Sequence, residues 1–110
     1  MATSGLAYAE ARAGFSRRRH DGSLTAAEHA SAIRNLEEDW PSYLSLEVSW
    51  AVLRDAASLS ETHLIRALDA IHLASALILL ARARDPVVFA TWDKRLRLAA
   101  RKAGLATVPE

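Results

Sequence analysis

Cysteine is absent from the chain, which excludes disulfides and thiolate metal sites. Long apolar runs are absent too. The longest, Ala76 to Ala81, is far too short to span a bilayer, so no membrane association is expected. The opening Met1-Ala2-Thr3-Ser4-Gly5 has neither a basic start nor an apolar core, so no secretory signal is read there and a cytoplasmic location is expected. No repeat, low-complexity tract or linker interrupts the 110 residues, a length that suits one small domain spanning 1–110. A formal net charge of +1 points to no class of partner.

What is present is the composition of a folded protein, 51% hydrophobic and 25% charged. Leu6 to Arg19 reads as a helix with Leu6, Ala9, Ala13 and Phe15 inward, ended by His20-Asp21-Gly22-Ser23. Thr25 and Glu28 have the spacing of a capping box, so a second helix runs to about Glu38 with Ala30, Ile33 and Leu36 as its apolar contacts. Leu44 to Val48 alternates like a short strand. Ser49 can cap a helix from Trp50 to about Leu59, and Ser60 another from Glu61 to about Ala83. Val87 to Thr91 has the residue types of a buried strand, Lys94 to Ala103 is helical with Gly104 placed to stop it, and Ala106 to Pro109 is a last short strand. Alternating helices and strands predict an α/β fold with short, mostly parallel strands covered by helices.

The chemistry concentrates in two places. On the long helix Arg66, Asp69, His72 and Ser75 recur every third residue, a polar seam in a helix otherwise covered by Leu64, Leu68, Ile71, Leu77 and Leu80. A carboxylate in such surroundings needs a partner, which can be Arg66 or a cation. His72 reads as a satisfied seam histidine rather than a ligand. Asp93 follows the strand Val87 to Thr91, where α/β folds bind ligands, and it is equally placed to cap the next helix. Thr91 offers a hydroxyl beside it, and Glu10 is an acid in an apolar helical start. From Arg82 to Lys102 seven basic residues face only Asp85 and Asp93. That excess makes either a solvated helix face or a surface for a phosphate backbone.

These segments match a known pattern. Arg66-Ala67-Leu68-Asp69-Ala70-Ile71-His72-Leu73-Ala74 and Phe89-Ala90-Thr91-Trp92-Asp93-Lys94-Arg95-Leu96 carry most of it. Ser4 to Glu10, and Ala99-Ala100 followed by Gly104-Leu105, carry the rest. Over practically its whole length the sequence resembles the PIN-domain ribonucleases, in particular the VapC-like toxins of bacterial toxin–antitoxin pairs. The resemblance implies a PIN-like three-layer fold, N-terminally truncated, with a short mostly parallel sheet flanked by helices. It also implies a metal-dependent endoribonuclease, the toxin of its pair. Asp69 and Asp93 would bind magnesium or manganese, Glu10 would complete the shell or position the attacking water, and Thr91 and Arg66 would support them. Lys94, Arg95 and Arg97 would hold RNA by its backbone.

Family members begin with a strand ending in a metal-binding aspartate, and no residue here supplies it, since Asp21 lies in a turn between helices. A truncated start, a strand donated by another chain, or a degenerate relative would each account for this. The alternative to an active enzyme is therefore a domain without catalysis that binds proteins or oligomerises. Its partners would be a cognate antitoxin or a second copy that completes the sheet in a dimer. A third class, a small helical nucleic-acid-binding protein, is disfavoured because no helix-turn-helix, zinc-finger or RNP-like signature is present.

Overall fold

The computed structural model describes residues 2–110. The chain divides into two compact units, Met1–Glu47 and Val48–Glu110. Both mix helices with short parallel strands, so the fold is α/β, with the strands in two separate two-stranded sheets.

In the first unit, β1 (Ala2–Ser4) pairs in parallel with β2 (Leu44–Leu46), with Thr3 opposite Ser45. Between them run α1 (Leu6–His20), α2 (Ala26–Asp39) and a 3-10 turn, Trp40–Ser42. The capping box of α2 forms as its spacing predicts. Thr25 Oγ1 accepts the Glu28 N–H at 3.1 Å, and the Glu28 carboxylate accepts the Thr25 N–H at 3.0 Å. The bond from the Thr25 backbone holds the Glu28 carboxyl below its ordinary value. The packed face of α1 is only partly the predicted one: Leu6 and Phe15 are half-buried, but Ala9 and Ala13 are exposed, and Tyr8, Ala11 and Arg12 are half-buried in their place. Polar and aromatic contacts set that rotation. The Tyr8 hydroxyl donates to Glu37, Arg12 Nη1 donates to the Tyr8 oxygen at 2.9 Å, and the Tyr8 ring meets Trp40 edge-on at 5.3 Å. No apolar side chain among the described residues of this unit is fully buried.

The second unit holds the apolar core. Its elements are α3 (Trp50–His63), α4 (Ala67–Arg82), β3 (Val88–Ala90), α5 (Lys94–Lys102) and β4 (Ala106–Val108). Val52 and Ala56 of α3, Ala70, Leu73 and Ala74 of α4, and Leu96, Ala99 and Ala100 of α5 form one cluster, in which Leu73 is 0% exposed. The core face of α4 thus runs through alanines and Leu73, while Leu68 and Leu80 of the expected apolar stripe lie exposed. Ser75 is buried among them because its hydroxyl donates to the Ile71 carbonyl at 2.8 Å, which removes the cost of burying it. The sheet pairs Phe89 with Thr107 in parallel register. Both of these residues turn inward, while Val88, Ala90, Ala106 and Val108 are exposed. β3 is therefore only half covered, not buried on both faces.

Gly104 ends α5 as expected. With φ at 101° it donates to the Arg101 carbonyl, and Leu105 donates to that of Ala100, each at 3.0 Å. This is the double closure of a Schellman turn, with Leu105 buried as its apolar contact. The break between α3 and α4 falls later than Ser60. α3 continues to His63, and Leu64 closes it in the left-handed region at φ 55°, ψ 43°. Ser60 caps nothing, and its hydroxyl donates instead to the Ile65 carbonyl at 2.6 Å, locking the corner from inside. Leu64 is 77% exposed, so it gains little packing for a conformation that L-residues avoid. Replacing Leu64 with glycine is expected to raise stability by about 0.5–1 kcal/mol in denaturant unfolding, because glycine adopts this conformation without strain. A loss of stability would show that the leucine side chain holds the corner.

Candidate functional site

The acids singled out by sequence are placed by helix ends. Asp69 stands in the first turn of α4, half-buried, three residues after the N-cap Arg66. Among the described residues no ion pair joins it to Arg66, whose exposed side chain makes no capping bond. The free amides at the start of α4 favour an anion there, so the carboxylate is tolerated through the helix end rather than through a salt bridge. His72 follows one turn later, also half-buried.

Asp93 is the N-cap of α5. Its Oδ1 accepts the Leu96 N–H at 3.0 Å, and its own N–H donates to Thr91 Oγ1 at 3.2 Å. Thr91 also donates its N–H to the Val108 carbonyl at 3.1 Å, extending the β3–β4 ladder, while its carbonyl accepts Arg97 Nη1 at 3.2 Å. Arg97 is half-buried and committed to this corner, whereas Lys94 and Arg95 are exposed on the first turn of α5. Glu10 lies exposed on α1, in the first unit. Two shallow depressions line the α3–α4 pair, of about 230 and about 310 Å³. Asp55 lines one and Glu61 the other, and neither is lined by Asp69, Asp93 or Thr91.

Magnesium or manganese asks for several hard oxygen donors converging on one point. Among the described residues no three His, Asp or Glu side chains form a group able to hold a metal ion. Asp93, moreover, spends one oxygen on a helix amide. The described residues do not by themselves form a metal centre.

The chain is 38% identical over 108 residues to Ribonuclease VapC45 of Mycobacterium tuberculosis (strain CDC 1551 / Oshkosh), a match covering 97% of this chain and 72% of the relative. Ribonuclease VapC49 of Mycobacterium tuberculosis (strain ATCC 25618 / H37Rv) matches with the same identity and coverage. The chain belongs to the VapC-like PIN-domain family. No protein-family model matches it.

Sequence reasoning passed over Trp92, the most exposed large apolar side chain among the described residues. Its signal was legible, since a tryptophan set between a threonine and an aspartate, after a strand, has no apolar neighbour to pack on. For Asp93 the cap predicts a specific pattern. Asp93→Ala should cost about 1 kcal/mol in thermal or denaturant unfolding, and Asp93→Asn only a few tenths, because asparagine caps nearly as well. Equal losses in the two variants would mean that the negative charge, not the cap, is what the position requires.

Proposed function

We propose that this VapC-like chain works as a PIN-like protein-binding or oligomerisation domain and does not, with the residues described, cleave RNA unaided. The observation that carries the reading is the uncovered face of the second unit's sheet. Parallel strands are normally covered on both faces. Here Val88 and Ala90 lie beside Ala106 and Val108 on one exposed apolar face, with Val88 at 53% and Val108 at 47%. Because Thr91 bonds to Val108, alternation turns the backbone groups of Val88 and Ala90 toward the open edge of β3. A two-stranded ribbon with an open edge is marginal alone and receptive to an added strand. A second copy, giving a dimer, or an antitoxin of the kind that VapC-like toxins pair with, is the partner this face suits. A cytoplasmic location accompanies the reading; no single helix among the described residues is long and apolar enough to cross a membrane.

A second reading, the metal-dependent endoribonuclease, is favoured by the relatives, both named ribonucleases at 38% identity. In it Asp69, Asp93 and Glu10 would ligate magnesium or manganese, with Thr91 and Arg66 in support. Lys94, Arg95 and Arg97 would hold the RNA backbone. It requires oxygen donors to gather that the described residues do not group.

Sedimentation velocity over a wide dilution series tests the first reading. The expected result is concentration-dependent association. It should weaken about tenfold or more, equivalent to about 1.4 kcal/mol, when Val88 and Val108 are both replaced by threonine, which keeps the shape and puts a hydroxyl in place of one methyl group on each side chain. A folded monomer at every concentration would contradict the oligomer reading.

A further inference from the structure

The corner between α3 and α4 is made of residues that suit a helix. No glycine or proline lies between Pro41 and Pro86, so nothing in the local sequence requires α3 to stop at His63. The chain nevertheless turns through 114° there. The turn rests on Leu64 at φ 55°, ψ 43°, a conformation in which Cβ of an L-residue crowds the carbonyl oxygen. The Leu64 side chain is 77% exposed, so little packing offsets that strain. Arg66, the N-cap of α4, makes no side-chain capping bond, and the second helix starts without that relief for its first amides. Two contacts hold the corner closed. The Ser60 hydroxyl donates to the Ile65 carbonyl at 2.6 Å, and the Ile65 side chain is buried.

Two helices can pack on each other whether or not they belong to one chain. Val52, Ala56 and Leu59 of α3 and Ala70, Ala74 and Leu77 of α4 belong to a single apolar cluster. On a helix continued straight through residues 64–66, at about 100° per residue, these positions all fall on one side, within an arc of about 60°. A copy whose corner has straightened therefore keeps both core faces pointing the same way. Two such copies, crossing at their corners, would lay α3 of each against α4 of the other and restore the packing that each bent pair makes alone. The core contacts are the same in both arrangements, and only the corner differs. Straightening releases the strain at Leu64 and adds the backbone bonds that the break leaves out. Against this stand the Ser60 bond and the place of Ile65 in the core.

We propose that the α3–α4 corner is a hinge through which two copies of this chain exchange helices, each copy's α3 packing on the other's α4 along one continuous helix from Trp50 to Arg82. The exchange uses the interior faces of the two helices and leaves the exposed face of the β3–β4 sheet untouched, so it stands apart from association through that sheet.

The experiment unfolds the full 110-residue chain in denaturant, refolds it at low and at high concentration, and separates the products by size. High concentration is expected to yield a dimer that dissociates slowly on dilution, because α3 and α4 must part before it can come apart. The chain has no cysteine, so spin labels attach only where Ala51→Cys and Arg82→Cys, both at exposed positions, place them. Doubly labelled chain is refolded with an excess of unlabelled chain, so that each dimer carries one labelled copy. Its two labels should lie about 45 Å apart in the dimer, the length of a straight helix between them, and much closer in the monomer. Leu64→Gly should lower the dimer yield by about tenfold or more, since glycine takes the left-handed turn freely and weakens a continuous helix. Ser60→Ala should raise the yield about threefold or more by removing the bond that holds the corner. Replacing Val88 and Val108 together by threonine should leave it unchanged. Four results would overturn the proposal: no dimer at the highest concentration, a dimer whose labels keep the monomer's spacing, a yield that Leu64→Gly does not lower, or a dimer lost with Val88 and Val108. The last would instead assign the dimer to the sheet.

Discussion

Complete burial of α4's small-residue face is the constraint on which the second unit depends. Ala70, Leu73 and Ala74 lie against α3 and α5 with essentially no exposed surface. The alanines let the helices approach closely, and Leu73 fills the space between them. Everything of chemical interest hangs from that packing. Asp69 is set one position before the buried Ala70, so it sits at the margin of the core. Asp93 caps α5 directly ahead of the buried Leu96.

Helix starts account for the placement of two of the acids, Asp69 and Asp93. The Asp93 carboxylate caps α5, and Asp69 stands in the first turn of α4, where the free amides favour an anion. In a VapC-like protein those positions suggest ligands, and the helix starts give each a structural reason to exist, Asp93 as a cap and Asp69 as an anion in the first turn. The family relationship and the absence of a three-donor group among the described residues are therefore compatible. A scaffold can keep its acids for helix stability when no third donor joins them.

Much of this was legible in the sequence where one local signal decides the outcome. The capping box at Thr25 and Glu28, the Schellman glycine at 104 and the cap at Asp93 all form from residues a few positions apart. Legibility failed where distant contacts decide. The rotation of α1 is fixed by Tyr8 reaching Glu37 and Trp40, about thirty residues away. The α3–α4 corner gave no glycine signal, because a leucine takes the left-handed conformation there and Ser60 reaches forward to Ile65. The coverage of β3 could not be read either, since its composition suits burial and only the sheet shows one face open. At the site the helix-end roles were readable, whereas convergence of Glu10, Asp69 and Asp93 is a tertiary matter.

The central claim is that the described residues gather no metal centre, and a calorimetric titration of manganese into the folded 110-residue chain tests it most directly. The expected result is no saturable heat from the protein, and the same from Asp69→Asn and Asp93→Asn. Saturable binding that both substitutions abolish would contradict the account and restore the metal-dependent ribonuclease as the leading function.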